Sequence, residues 1–324
     1  MRRKVAQTRS LLIKQLANGE FNSGELLGEM VGVSRSAVAN HIKYITNIGL
    51  DIFRVKGRGY KLASPLVLLD QSKIIQCLGH GQTNVVEVIS VIDSTNTYVK
   101  ERLHELPQGF VCLAEAQTHG RGRRGKTWVS PFGSSIYMSM AWTFTGGYQS
   151  MAGLSLLVGI AINRSLKTMG LMDCKLKWPN DVYYNLKKLA GILVEVEGQV
   201  GSDANAVIGI GINIDLPSSV NGIDQPFIDL VSITQKPVDR NELAALIIAT
   251  LTNMLRQFEL EGLTPFLAEW KEADLFYNKY VYLESGSNRI HGLSKGINDG
   301  GALLLENAGK VTPHHGGEIS VRRA

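Results

Sequence analysis

Over the first sixty positions apolar residues recur at helical intervals; further on they alternate, and the two patterns divide the chain. Leu12 and Leu16, with Leu11 and Ile13 beside them, form a stripe that stops at Asn18-Gly19 and predicts a first helix. Asn22 with Glu25 has the spacing of a capping box, so a short second helix is expected. That helix should carry Leu26, Leu27 and Met30 inward and stop at Gly32, which tolerates a left-handed turn. Ser34 then caps a third helix, with Val38, Ile42 and Ile45 on one face and Arg35, Ser36, Asn40 and Lys43 on the other. Strands over 51–55 and 60–62 flank Lys56-Gly57-Arg58-Gly59, so the module is expected to be a winged helix-turn-helix. Ala63-Ser64-Pro65 reads as a linker, because proline continues neither strand nor helix well.

Beyond Leu66 strands are expected over 85–92, 110–117, 135–144, 189–197 and 207–214, with a mostly buried helix over 151–169. Their irregular order predicts an α+β fold with a mixed sheet and helices on one face. Asp239 with Glu242 caps a long helix reaching about Glu261, and Thr264-Pro265 opens another. From Tyr280 onward, Ser285-Gly286, Asn298-Asp299-Gly300-Gly301 and Gly316-Gly317 separate short strands, the pattern of a small SH3-like β-barrel. The expected division is 1–64, 65–274 and 275–324.

Composition narrows the class. With 44% hydrophobic and 19% charged residues in 324, the chain can bury a core, which excludes a disordered or fibrous protein. The longest nearly apolar run, 151–162, is short of the roughly 20 residues that span a bilayer, and no apolar signal stretch follows the first residues. A soluble, cytoplasmic protein without a membrane partner is expected. Cys77, Cys112 and Cys174 build neither a disulfide framework nor a zinc spacing, and none of the seven histidines has metal-ligand spacing, so no structural metal is expected. Charge is uneven: residues 1–64 hold eleven Lys/Arg against four Asp/Glu, leaving the other 260 at −2 of a net +5. A basic module on a near-neutral body points to DNA, with Arg35, Ser36, Asn40, Lys43, Lys56 and Arg58 as contacts. A protein-interaction module of the same shape is the other reading.

The body carries several constellations. Gly120-Arg121-Gly122-Arg123-Arg124-Gly125 matches the dinucleotide fingerprint in letters only, because Lys126 to Pro131 continue as loop where that motif opens a helix. Guanidiniums among glycines instead describe a mobile loop able to close on phosphate or carboxylate. Lys177-Trp178-Pro179-Asn180-Asp181 leaves Asn180 and Asp181 at a strand end, as metal ligands, amine-orienting groups or a plain Asx turn. Lys187-Lys188-Leu189-Ala190-Gly191 and Gly209-Ile210-Gly211-Ile212-Asn213 place small residues inside strands, where something approaches the backbone. Asp93-Ser94-Thr95-Asn96 begins a helix with more polar groups than a cap requires.

Together these segments resemble the bifunctional biotin–protein ligases that also repress the biotin operon, in the family's order and across nearly the whole chain. The resemblance implies a winged helix, a class II synthetase-like ligase domain and an SH3-like C-terminal barrel. It implies ATP and biotin as substrates with Mg²⁺, giving biotinyl-5′-AMP, and then transfer of biotin to a lysine of the biotin carboxyl carrier protein of acetyl-CoA carboxylase. It further implies operator DNA as a partner and a homodimer when biotinyl-AMP is bound. By the same resemblance Ser94, Thr95, Asn96 and Gln117 bond the ureido ring. Gly120, Gly122, Gly191 and Gly209 make room for biotin, and Arg121, Arg123 and Lys188 neutralise carboxylate and phosphate. Trp128 covers adenine, Lys177, Asn180, Asp181 and Asn213 face phosphates and metal, and Arg322 joins the nucleotide site. Asp181 is the expected orienting group for the acceptor amine and a candidate Mg²⁺ ligand. The rival readings are a ligand-sensing regulator without catalysis, a lipoate-type ligase, and a nicotinamide oxidoreductase resting on the rejected glycine motif alone.

Overall fold

The computed structural model describes residues 2–79, 81–198, 202–286, 288–317 and 319–324. It begins with helices α1 (Arg2–Leu16), α2 (Gly24–Val31) and α3 (Arg35–Asn47) and an antiparallel pair, β1 (Ile52–Val55) and β2 (Gly59–Leu62). Leu12, Ile13, Leu16, Leu27, Val38, Ile42 and Ile45 form the core of this winged helix-turn-helix. The side chains of Arg2, Arg3 and Lys4 lie outside the described residues.

Two local expectations are corrected. Ser23 rather than Asn22 caps α2, its hydroxyl accepting from the Leu26 amide at 3.1 Å. Asn22 is drawn away by the wing, pairing with Tyr60 as an isolated bridge while its Oδ1 accepts from Gln15. Gly59 makes that approach possible: it sits at φ +99°, and a Cβ there would run into the Asn22 carbonyl. Leu26 and Met30 are exposed and only Leu27 of the three points inward, because an eight-residue helix offers its neighbours one narrow stripe. Gly32 does end α2 in the left-handed conformation, and Ser34 caps α3.

The middle of the chain adds α4 (Gln71–Leu78), β3 (Val86–Ile92), α5 (Thr95–Lys100), β4 (Val111–Gln117), β5 (Ser135–Phe144), α6 (Leu154–Thr168), β6 (Lys175–Lys177), β7 (Asp181–Tyr184), β8 (Lys187–Gly198), β9 (Ala204–Asn213), α7 (Leu230–Thr234), α8 (Arg240–Glu261) and α9 (Leu267–Ala273). The strands form one mixed sheet in the order β3-β4-β5-β9-β8-β7-β6, with only β3 and β4 parallel. Side chains alternate across it. Leu113, Met138, Met140, Ile208 and Ile210 face α6 and α8, while Cys112, Ala141 and Val207 face the opposite way, against Val99 and Leu103. The expectation of helices on one face is thus corrected: α6 and α8 cover one side, and the short α5 covers part of the other, leaving a cleft beside it. The chain's one described helix with the length and hydropathy of a membrane span, α8, buries Leu243, Ile247, Leu251 and Leu255 in this core.

The last five strands, β10 (Tyr280–Ser285), β11 (Asn288–Ile297), β12 (Leu303–Asn307), β13 (Lys310–His314) and β14 (Ser320–Arg323), form a small antiparallel sheet in the order β13-β12-β11-β10-β14. It shares the main core through Val281, Leu283, Leu303, Leu305 and Val321, and Trp178 Nε1 donates to the Gly301 carbonyl at 3.0 Å.

The winged helix is seated on the body. The Phe132 amide donates to the Ile48 carbonyl at 2.9 Å, and Phe132 and Ala116 are buried in the winged-helix core. The segment just after the linker, 67–69, is pinned by a buried ion pair, Arg240–Glu115 at 2.7 Å, with side chains 3% and 5% exposed. Glu115 Oε1 accepts from the Leu69 amide at 2.6 Å and Arg240 Nη2 donates to the Val67 carbonyl at 2.8 Å. Arg240→Met should therefore cost about 3–5 kcal/mol, because it strands a buried carboxylate, and Arg240→Met/Glu115→Met should recover most of that loss. Denaturant midpoints of the three proteins measure this; a double variant no more stable than the single would contradict it.

Candidate active site

The face of the sheet turned away from α6 and α8 carries, apart from Leu193, small and polar residues: Ser139 on β5, Gly191 and Glu195 on β8, Gly209 and Gly211 on β9, and the paired Lys177 and Asp181 on β6 and β7. Apolar burial claims the other face, so this one is left for a ligand. The main cleft runs across it, lined also by α5, the 121–129 loop, residues 222–227 and β14.

At one end the first turn of α5 meets the sheet. Ser94 is its N-cap; Thr95 and Asn96 are buried and reach the strands. Thr95 donates to Gln117 Oε1 from both its amide (2.9 Å) and its hydroxyl (3.2 Å), and Gln117 Nε2 donates to Ser130 Oγ at 2.9 Å. Ser139 Oγ lies 2.6 Å from Asn96 Oδ1 and 2.8 Å from Thr95 Oγ1. The structure thus brings Ser94, Thr95, Asn96 and Gln117 together as one neutral hydrogen-bonding corner.

The arginine-glycine loop contains one 3₁₀ turn over Arg123–Gly125, not a helix, which removes the structural basis of a dinucleotide fingerprint. Its ends pair with each other, Trp128 N donating to the Gly120 carbonyl at 2.9 Å and Gly122 N to the Lys126 carbonyl at 2.7 Å. The loop is docked: Arg123 Nη1 donates to Asn180 Oδ1 at 2.8 Å, Arg123 Nη2 bonds the Gly317 carbonyl, and Arg121 pairs with Glu195 at 3.0 Å. The strand glycines receive protein groups. A Cβ on Gly211 or Gly191 would lie 2.5 or 2.7 Å from the Trp128 indole, and one on Gly209 would land on the Asn96 amide. A Cβ on Gly120 would strike the Trp128 carbonyl.

Cations gather in the middle. Lys188 Nζ pairs with Asp181 at 2.8 Å, both side chains nearly buried, and stands 5.3 Å from the Trp128 ring centroid. Lys177 Nζ lies 3.2 Å from the Tyr183 hydroxyl. Burial pushes its ammonium down to about 8, partly opposed by Asp181 and reinforced by Arg322 and Lys188. Burial also lowers Arg123, again against the pull of Asp181, yet a guanidinium remains charged. Arg322 lines the cleft from β14 and is held by Glu284 at 3.3 Å. Asn213 spends its amide on the Lys188 and Ile228 carbonyls, at 3.4 and 3.0 Å, and so shapes the wall of the cleft.

Three parts of the site escaped the sequence reading. Residues 222–227 form its second rim: Lys126 pairs with Asp224 at 3.2 Å, and Lys188 bridges Phe227 in parallel. Their Gly, Asp, Gln and Pro content reads simply as connection. Ser139 and Glu195 had no signal either, being single polar residues inside strands. In the winged helix Arg35, Ser36, Asn40 and Lys43 are exposed along α3, with Arg35 paired to Glu25 at 2.7 Å. Lys56 is exposed at the wing tip, and Arg58 lies 4.0 Å over the Phe21 ring. Among the described residues no group of three or more His, Cys, Asp or Glu is placed to hold a metal ion.

A model of the biotin/lipoate A/B protein ligase family matches residues 88–213, and one of an HTH domain matches 8–61. The bifunctional ligase/repressor BirA of Escherichia coli K12 is 45% identical over 317 residues, 97% of each chain. The biotin–[acetyl-CoA-carboxylase] ligase of Paracoccus denitrificans is 30% identical, over 66% of this chain and 90% of its own. Among solved structures, the biotin protein ligase of Aquifex aeolicus in complex with biotin and ATP aligns with a TM-score of 0.67 at 27% identity, covering 74% of this chain and 99% of that one.

Proposed function

The chain belongs to the BirA family of bifunctional biotin ligases and repressors, and from that premise we infer how its cleft performs the ligase reaction. The protein is a biotin–protein ligase that forms biotinyl-5′-AMP from biotin and ATP, transfers biotin to a carrier-protein lysine, and represses transcription through its winged helix. One observation carries the assignment of residues: a single cleft in which a neutral hydrogen-bonding corner gives way to fixed cations.

Ser94, Thr95, Asn96 and Gln117 hold the ureido ring, with Gly209 keeping Asn96 in place. The biotin carboxylate then lies toward Lys188, Arg121 and Arg123, and the nucleotide phosphates toward Lys177 and Asn180, with Asn213 joining the nucleotide site only by holding its wall in place. Attack of one anion on another needs cations already in position, because in a site closed to water such charges act strongly and cost no reorganisation. Trp128 covers adenine and Arg322 borders it, and the rims 121–129 and 222–227 keep water from the mixed anhydride. In the second step Asp181 orients the acceptor amine. Mg²⁺ fits as a companion of ATP: a lone carboxylate, Asp181, beside Asn180 matches an ion held mainly by phosphates and water, where it would screen the phosphate charge.

Biotinyl-AMP, by fixing both rims, favours a homodimer that sets two α3 helices, with Arg35, Ser36, Asn40 and Lys43, in successive major grooves, while Lys56 and Arg58 meet phosphate. The carrier protein and the second copy then compete, in a protein acting in the cytoplasm away from membranes. Pyrophosphate release with ATP and biotin, compared with ATP and lipoate, is the decisive assay. Release with lipoate alone would favour the lipoate reading, and release with neither would favour a sensor without catalysis.

The lowered Lys177 sets a pH dependence. Its ammonium is present below about 8 and is lost as pH rises through that value. The expected result is a kcat/KM for ATP that falls above about pH 8 while saturated kcat stays nearly level, since bound phosphate restores the charge. Lys177→Arg should flatten the profile at whatever activity it retains. A wild-type profile level to pH 9.5 would overturn this.

A further inference from the structure

Glu195 lies on β8 outside the lining of the cleft, yet its carboxylate joins two parts of the site. Its side chain is 13% exposed. Oε2 accepts from Asn96 Nδ2 at 3.0 Å and from Arg121 Nη1 at 3.0 Å, while Oε1 pairs with Arg121 Nη2 at 3.0 Å and with Lys100 at 3.4 Å. Arg121 thus meets it as a two-pronged fork, the arrangement in which a guanidinium binds a carboxylate most specifically. Asn96 donates its amide to the Leu193 carbonyl (3.3 Å) as well as to Glu195, so both amide hydrogens have protein partners. Its Oδ1 accepts from the Ser139 hydroxyl at 2.6 Å and keeps a second lone pair, so what remains of Asn96 to meet a ligand can only accept.

We propose that Glu195 is a positioning residue that couples recognition of the ureido ring to closure of the arginine loop. It fixes the Asn96 amide so that an oxygen is presented to a ligand N–H, and it latches Arg121 across the same strand. This rests on the cleft being the biotin site. A carboxylate is required because only an ionised acceptor can satisfy a guanidinium fork and an amide donor together. With Glu195→Gln one acceptor becomes a donor facing donors, Asn96 is free to turn over, and the loop loses its anchor.

The test uses the full chain as wild type, Glu195→Gln, Arg121→Ala and the double variant. Without ligand, tryptic cleavage in the 124–126 segment should be about tenfold faster in Glu195→Gln, the scale of a lost charge-assisted pair, and the double variant should be cut no faster than either single one. The biotin KM should rise about tenfold and the ATP KM clearly less, because Trp128 and Arg123 keep their own anchors on the Gly120 carbonyl and Asn180. Glu195→Asp should restore part of both, and matched melting curves will separate these effects from loss of fold. Unchanged cleavage together with an unchanged biotin KM, additive cleavage in the double variant, or equal rises in both KM values would each overturn the proposal. Pyrophosphate release by the wild type is judged separately. Its absence would remove the biotin reading, while the tryptic comparison would still decide the latch.

Discussion

Lys188→Met should slow biotinyl-AMP formation by about a thousandfold at saturating substrates. Two charges about 4 Å apart near a protein surface interact by about 4 kcal/mol, which corresponds to roughly that factor in rate when the interaction forms only as the anions meet. Lys188 occupies the required place, nearly buried between Asp181 and the face of Trp128. The variant also leaves Asp181 without its Lys188 partner, adding an uncompensated carboxylate to a site that must already gather two anions. Lys188→Arg should recover little, because Trp128 and Gly191 bound the space a larger fork would need. Single-turnover pyrophosphate release is the measurement. A loss of less than tenfold would mean that Arg121 and Arg123 carry the neutralisation without it.

Gly209→Ala should weaken biotin binding by about a hundredfold or more while changing ATP binding far less. The new methyl would occupy the position of the Asn96 amide, and Asn96 has nowhere to retreat. It is buried and tied to Ser139, the Leu193 carbonyl and Glu195. Displacing it leaves several buried polar groups unpaired, at about 1–3 kcal/mol each. Gly211→Ala is the informative comparison: its methyl meets Trp128 at 2.5 Å, so it should disturb the nucleotide cover and spare the ureido corner. Separate titrations of biotin and ATP distinguish the two, and identical patterns for both variants would refute the assignment of the two glycines to different neighbours.

The winged helix was legible because its signals are local. Gly32 needs its left-handed turn whatever surrounds it, and Val38, Ile42 and Ile45 repeat at the helical period. The misplaced cap there has a distant origin: Asn22 lost its expected capping role to a contact with Tyr60, thirty-eight positions away, which no local pattern reports. The cation-bearing motifs were legible too, since glycine and arginine cluster where few other uses explain them.

What the chain determined by itself is which segments fold into which elements and where unusual chemistry is concentrated, because propensity, period and capping act within a few residues. Only the tertiary structure decided which side of the sheet became the site and which distant groups meet there. Period two says that Ile208 and Gly209 point opposite ways, but it was α6 and α8 packing on Ile208 that gave Gly209 to the cleft. Ser139, Glu195 and residues 222–227 entered the same way, through strand register and long-range pairing, whose energy depends on neighbours that sequence spacing does not contain.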